Sequence, residues 1–479
     1  MRAWRKLLLL LWFVAGAALA EAPEPLEPLE GTAEERASAL HVLNRLGYGP
    51  APGEIDLVVR IGPQRWIASQ LQPESLPLPE PLAARLAALA TVHMPAGAVL
   101  DQFQAAQQAV RSGAEDSDDA KAQRRAVLAR IAREAAEARL LRAVASPRQL
   151  EEVMVDFWFN HFNVFAGKGQ DRALVASYER DAIRPHALGH FRALLGATAK
   201  HPAMLYYLDN WVSKAGGLNE NYARELMELH TLGVDGGYTQ RDVTELARML
   251  TGWTYVPRRL VADNETFYFD SRRHDARIKQ WLGRTVTAAG QAEGEMALDV
   301  LAAHPATARH IAYKLAQYFV QDQPPPALVA RLAQRFGDSD GDIRAVLQAL
   351  FASDEFMAPT ARAAKFKTPY QYVVSALRAT GAPPDSAKAA LAALNRLGMP
   401  LYGCQTPDGY KSTWQAWLNP DALALRIGYA VQLGKEVDAA ALRTALGPGI
   451  RPATWQTVGA GAPRVQAALL LGSPDFMER

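Results

Sequence analysis

The chain has almost no cysteine. Cys404 is the only one among 479 residues. That excludes an internal disulfide, a cysteine-based metal cluster and a thiol–disulfide pair, so core packing has to hold the fold. The chain also lacks a charge excess. Its 52 basic and 50 acidic residues nearly cancel, which leaves no electrostatic footprint for nucleic acid. Several catalytic signatures are missing as well. There is no Gly-x-Ser-x-Gly elbow, phosphate-binding loop, dinucleotide fingerprint, His-Glu-x-x-His pair or haem-attachment pair. Serine hydrolase, nucleotide-binding and zincin readings therefore have no support.

What is present begins with an address. Arg2, Arg5 and Lys6 precede an apolar run from Leu7 to Ala18, and Ala18-Leu19-Ala20 supplies small residues for a peptidase. Basic start, apolar middle and small-residue exit make a cleavable signal peptide over 1–20. The run is shorter than the roughly 20 residues a membrane-spanning helix needs, so no stable membrane anchor is expected after cleavage. The mature chain then carries 49 basic and 50 acidic residues. Its expected location is periplasmic or secreted. Residues 21–31 alternate Pro and Glu and read as a solvated leader.

The 49% hydrophobic content suffices for a large core. From 32 to 479 the pattern predicts one large all-α domain, with a charged helical segment at 82–145 interrupted at 112–120. Further helices are expected at 150–165, 181–198, 219–232, 239–252, 369–380 and 420–433, and a run of helices over 292–356 punctuated by Pro305 and by Pro324, Pro325 and Pro326. A minor β-hairpin region is expected around 254–286. Residues 401–417 read as an aromatic, glycine-containing loop.

Two helices place polar groups unusually. On a wheel of about 100° per residue, Asn221, Glu225 and Glu228 share one stripe. Arg224 lies further round, and the stripe borders apolar Tyr222, Leu226 and Leu229. Glu225 and Glu228 are i,i+3 neighbours that could share a cation or a proton; Arg224 and Glu228 could equally pair on a solvated face. Asn219 is expected to cap this helix. His230 falls about 140° from Glu225 and reads as core. His161 falls in the aromatic stripe of Leu150, Met154, Trp158 and Phe165, so it is expected to be buried and to need a partner. That partner is either an ordinary core contact or a site shared with Glu225 and Glu228. Asp156 and Asn163 point away and read as solvated or capping.

His274 and Asp275, with Lys279 nearby, follow an aromatic strand segment, where a scaffold often presents a site; the plain alternative is a turn. Gln405, Asp408 and Tyr410 sit among the aromatics of the 401–417 loop. That mixture suits either ligand stacking or a well-packed loop.

Several runs together resemble the domain of unknown function 1800 family of exported bacterial proteins. They are 41–50 (HVLNRLGYGP), 157–162 (FWFNHF), 201–205 (HPAML) with Leu208, Asp209 and Asn210, and 219–233 (NENYARELMELHTLG). Tyr238, Thr239, 250–253 (LTGW), His274, Asp275, Lys279, Leu282, Gly283 and 304–309 (HPATAR) continue the likeness. The resemblance implies a secreted or periplasmic, largely helical unit, with an exported partner protein encoded alongside. It implies no activity.

Two functional hypotheses follow. One is an envelope enzyme with Glu225, Glu228, His161, His274 and Asp275 as its catalytic set. In it Glu225, Glu228 and His161 hold a divalent metal ion that activates water, and Arg224, Asn221, Asn210, Lys279, Gln405, Asp408 and Tyr410 bind an envelope polymer or peptide. The other is a non-catalytic exported binding or assembly partner, in which the same polar residues form a structural network.

Overall fold

The computed structural model describes residues 31–111, 118–381 and 387–479. The expected signal peptide, nearly all of the Pro/Glu leader, and 112–117 of the expected interruption lie outside these residues. The described chain is all-α with minor β content: 66% is helical and the rest includes two two-stranded antiparallel sheets. Among the described residues, no helix is long and apolar enough to cross a membrane.

Two helices lie at the centre. In Gln149–His161 nearly every residue is buried, and in Pro369–Ala379 every residue is. A helix wrapped on all sides has no solvated stripe, so its polar side chains must find partners inside. Asp156 does this by pairing with Arg139 at 2.5 Å, and Glu152 by pairing with Arg184 at 2.9 Å. This corrects the expectation that Asp156 is solvated or capping. The amphipathic pattern around it marks the most apolar stripe, but the remaining faces are covered too. One cluster of buried apolar side chains runs from Ala39 to Met477 in sequence.

The expected helix over 181–198 is broken. Residues Tyr178–Ile183 form a π-helix, Arg184–His186 a 3-10 turn, and the α-helix runs from Phe191 to Lys200. Pro185 has no N–H to continue the ladder, and Ala187 N donates to Arg184 O instead. The expected 292–356 stretch divides at its prolines. Pro305 and Pro326 each open a helix at its first residue, Pro305–Phe319 and Pro326–Asp338, where no N–H is needed. In the β region, Trp253–Thr254 pairs with Tyr268–Phe269 and Lys279–Trp281 with Arg284–Val286. A helix, Pro257–Asp263, intervenes. Gln240–Met249 begins with a capping box of Thr239 and Asp242.

Candidate functional site

Helix Gln149–His161 ends against helix Pro305–Phe319, and there His161 meets Lys314. His161 Nε2 lies 3.1 Å from the carbonyl of His230, and its Nδ1 lies 2.9 Å from Lys314 Nζ. A carbonyl only accepts, so Nε2 carries the proton and Nδ1 offers its lone pair to the ammonium. Burial, with Lys314, His310 and His230 close by, keeps this imidazole neutral. Burial and Lys411 bring the Lys314 amine down to about 8, against the pull of Asp408. Among the described residues, Lys314 has no carboxylate within ion-pair distance; its one hydrogen bond is to His161.

The pair lies on the wall of a cavity of about 140 Å³. Asn160, Gln317 and Gln371 add amides, Thr368 and Ser412 hydroxyls, and Asp408, Tyr410 and Lys411 close it from the 401–417 loop. That loop is fastened down. The Asn160 side chain both donates to Tyr410 O and accepts from Tyr410 N, each at 2.7 Å. Asn163 donates to the carbonyls of Cys404 and Thr406, so it clasps the loop where a solvated or capping role was expected. Gly409 has φ of +68°, and a Cβ there would come within 2.2 Å of Asn160 O. Only glycine allows this approach. Asp408 is held by Thr406 Oγ1 at 2.6 Å and by Lys411 Nζ at 2.5 Å.

Of the expected site residues, His161, Asp408 and Tyr410 come together here. Gln405 is on the same loop but exposed, with its carbonyl taken by Tyr207 Oη at 2.7 Å. The stripe helix is shorter than expected, Asn221–Glu228, and Asn219 Oδ1 accepts from Asn221 N at 2.9 Å beside its start. Glu225 and Glu228 are partly exposed. Burial, then Glu228, then Asp408 push the Glu225 carboxyl above its usual range, with Arg224 opposing. Asp408 thus lies within electrostatic reach of both Glu225 and Lys314. Arg224 pairs with Glu220 at 3.2 Å and reaches Gln240 at 2.9 Å, not Glu228 as the i,i+4 spacing allows. Asn221 is exposed. His230 is buried as expected, and its carbonyl fixes the His161 tautomer.

His274, Asp275 and Lys279 belong to a different cluster that closes on itself. His274 Nε2 lies 3.0 Å from Glu293 Oε1, and Lys279 Nζ lies 2.5 Å from Glu293 Oε2. Asp275 accepts from Arg248 and Arg277. Those guanidiniums hold its carboxyl far below the usual range, Arg277 first and then Arg248, against the effect of burial. Lys279 and Glu293 are essentially without solvent contact. Asn210 is also buried, donating to the carbonyls of Leu250 and Trp253.

The expected metal set is not assembled. Both nitrogens of His161 are committed to His230 O and Lys314. Among the described residues, no three His, Cys, Asp or Glu side chains are grouped to hold an ion. The residue the sequence reading missed is Lys314. Its signal was in reach: Ile311, Lys314, Leu315 and Tyr318 share one helix stripe, so a lysine interrupts an apolar face just as His161 does.

No curated protein and no solved structure matches the chain. One family model, described as a protein of unknown function (DUF1800), matches residues 41–478, and the chain belongs to that family.

Proposed function

We propose that this is an exported envelope enzyme that performs acid–base chemistry on a small polar group of an envelope glycan or peptide, with Lys314 as the proton-transferring residue and His161 as its positioning partner. One observation carries the reading: the 2.9 Å contact of Lys314 Nζ with a tautomer-locked His161 Nδ1 beside a polar cavity. An amine near 8 is matched to proton transfer near neutral pH. The Nδ1 lone pair takes one ammonium hydrogen, and the others are free for a ligand. A cavity of about 140 Å³ holds about four or five waters at about 30 Å³ each, so it takes a side group or chain end, not a polymer segment. Asp408 lines it, and Glu225 lies within electrostatic reach of Asp408. The envelope location rests on the basic, apolar and small-residue pattern of 1–20, and an exported partner encoded alongside rests on the family resemblance.

The self-contained His274–Glu293–Lys279 network favours a structural role for that half of the expected site.

The test is amine acetylation of the folded chain with isotope-coded reagent across pH, read by mass spectrometry. Lys314 is expected to titrate near 8, well below an ordinary lysine near 10.4, and turnover of envelope oligosaccharides or peptides is expected to vanish in Lys314→Met with the fold intact. An ordinary lysine profile, or full turnover in that variant, overturns the reading. Amino-terminal sequencing of the exported protein is expected to begin at Glu21; an intact Met1 refutes the cleavage.

A further inference from the structure

A second cavity, of about 200 Å³, lies between helix Ala33–Leu46 and the C-terminal segment. Leu40, Leu446, Ile450 and Phe476 give it an apolar wall. Four cationic side chains also line it: Arg362, Lys367, Arg451 and Arg479. Two of these are committed. Arg362 pairs with Glu34, and Arg451 with Asp475 and Glu478. Lys367 and Arg479 are only 4% and 3% exposed, and among the described residues neither has a carboxylate in ion-pair range. Lys367 Nζ donates to Ser375 Oγ at 2.9 Å and to Phe476 O at 2.7 Å. Arg479 donates to the carbonyls of Asn44 and Tyr318, and among the described residues its Nε has no partner. Arg45 sits close enough to Arg479 to be felt electrostatically. It is fully buried and donates to Ala361 O, and among the described residues its Nε and Nη1 have no partner.

Asp475 and Glu478 also line the cavity but are engaged by Arg451, and Asp156 and Asp322 act on Arg479 from beyond ion-pair distance. Holding Lys367 and Arg479 buried without a direct counter-charge is costly, because each loses its water and repels the other. Neutral carbonyls and a hydroxyl return only part of that. An anion between Lys367 and Arg479 would complete both. Charge alone does not describe the cavity, however: an inorganic anion would leave Leu40, Leu446 and Ile450 against water.

We infer that this cavity is a binding site for a small carboxylate with an apolar body, such as a short fatty acid or an aryl acid. The carboxylate sits on Lys367 and Arg479, and the body lies on the Leu40, Leu446 and Ile450 wall. Such sites are mostly apolar with a few fixed polar groups. About 200 Å³ corresponds to about six or seven waters at about 30 Å³ each, which suits a body of a few carbons. The residues that line it differ from those of the Lys314 cavity.

Calorimetric titration of the purified chain with hexanoate, acetate and inorganic phosphate tests this. Hexanoate is expected to bind saturably at one site, more than about tenfold tighter than acetate or phosphate. Lys367→Met is expected to weaken it by more than about tenfold while keeping the fold, because it removes a buried cation and preserves the side-chain volume. Ala37→Phe, which fills the cavity and leaves the cations in place, is expected to abolish binding too. Lys314→Met is expected to leave hexanoate affinity unchanged. Absence of saturable hexanoate binding overturns the inference. So does unchanged affinity in both Lys367→Met and Ala37→Phe, phosphate binding as tightly as hexanoate, or loss of hexanoate binding only in Lys314→Met.

Discussion

Removing the Glu293 carboxylate is expected to be among the most damaging single changes in the molecule. Glu293 accepts from Lys279 Nζ at 2.5 Å, His274 Nε2 at 3.0 Å and Ala289 N at 2.9 Å. Lys279 has no solvent contact, and among the described residues it reaches, beyond Glu293, only the carbonyl of Asp275. Glu293→Ala therefore strands a buried ammonium, which cannot return to water without opening the Lys279–Trp281 hairpin. Breaking a buried pair from one side costs about 3–5 kcal/mol, or roughly two to four powers of ten in the folding equilibrium. Replacing both partners avoids the stranded charge. Lys279→Met with Glu293→Gln keeps an acceptor for His274 and is expected to lose clearly less than Glu293→Ala alone. The assay is equilibrium urea unfolding followed by two probes, to confirm a single transition. Acid provides a second reading. Burial works to raise the Glu293 carboxyl, but bonds from Lys279, Ala289 N and His274 bring it below its usual value. Its contribution is thus present above the ordinary glutamate range, about 4.3, and is lost as pH falls through the lower folded value. Glu293→Gln should flatten that acid limb. A loss below about 1 kcal/mol in Glu293→Ala, the range of an ordinary hydrogen bond, would refute the reasoning.

Three other outcomes are expected. Asp171 is fully buried, neither carboxylate oxygen is hydrogen-bonded among the described residues, and burial raises its pKa well above the usual range, with Lys168 opposing. It therefore costs stability once pH exceeds its unfolded value near 3.9. Asp171→Asn should raise the melting temperature at pH 8 and hardly change it at pH 4; an equal shift at both would refute this. Gly409→Ala combines a positive φ with the approach to Asn160 O, and should destabilise by more than about 1 kcal/mol, which urea unfolding would detect, and open the Lys314 cavity to faster acetylation. Arg139 lies between Asp156 and Glu179 and over the rings of Phe159 and Tyr402. Arg139→Met leaves those two carboxylates buried without it and should cost about 3–5 kcal/mol by urea unfolding; a change under 1 kcal/mol would contradict the pairing.

Much of the helix content was legible because it is local. Thr239 with Asp242 three residues on, and proline at the first position of 305–319, announce helix starts without tertiary help. The β region at 254–286 was visible in its aromatics, though not the Pro257–Asp263 helix inside it. The site was legible only in part. His161 stood out because an imidazole in an aromatic stripe must be buried and paired. Its partners did not, since Lys314 is 153 positions away and the His230 partner is a backbone carbonyl.

The sequence by itself determined the helical class, the reliance on packing without disulfides, and that His161 would be buried and need a partner. Periodicity, proline positions and cysteine count are properties of short stretches or of composition. Only the tertiary structure decided which polar groups meet. It gave Glu293 to His274 and Lys279, gave Lys314 to His161, and left Glu225 and Glu228 partly exposed on their own helix. Those choices depend on how separate helices dock, and a buried polar group takes whichever partner the docking brings within about 3 Å.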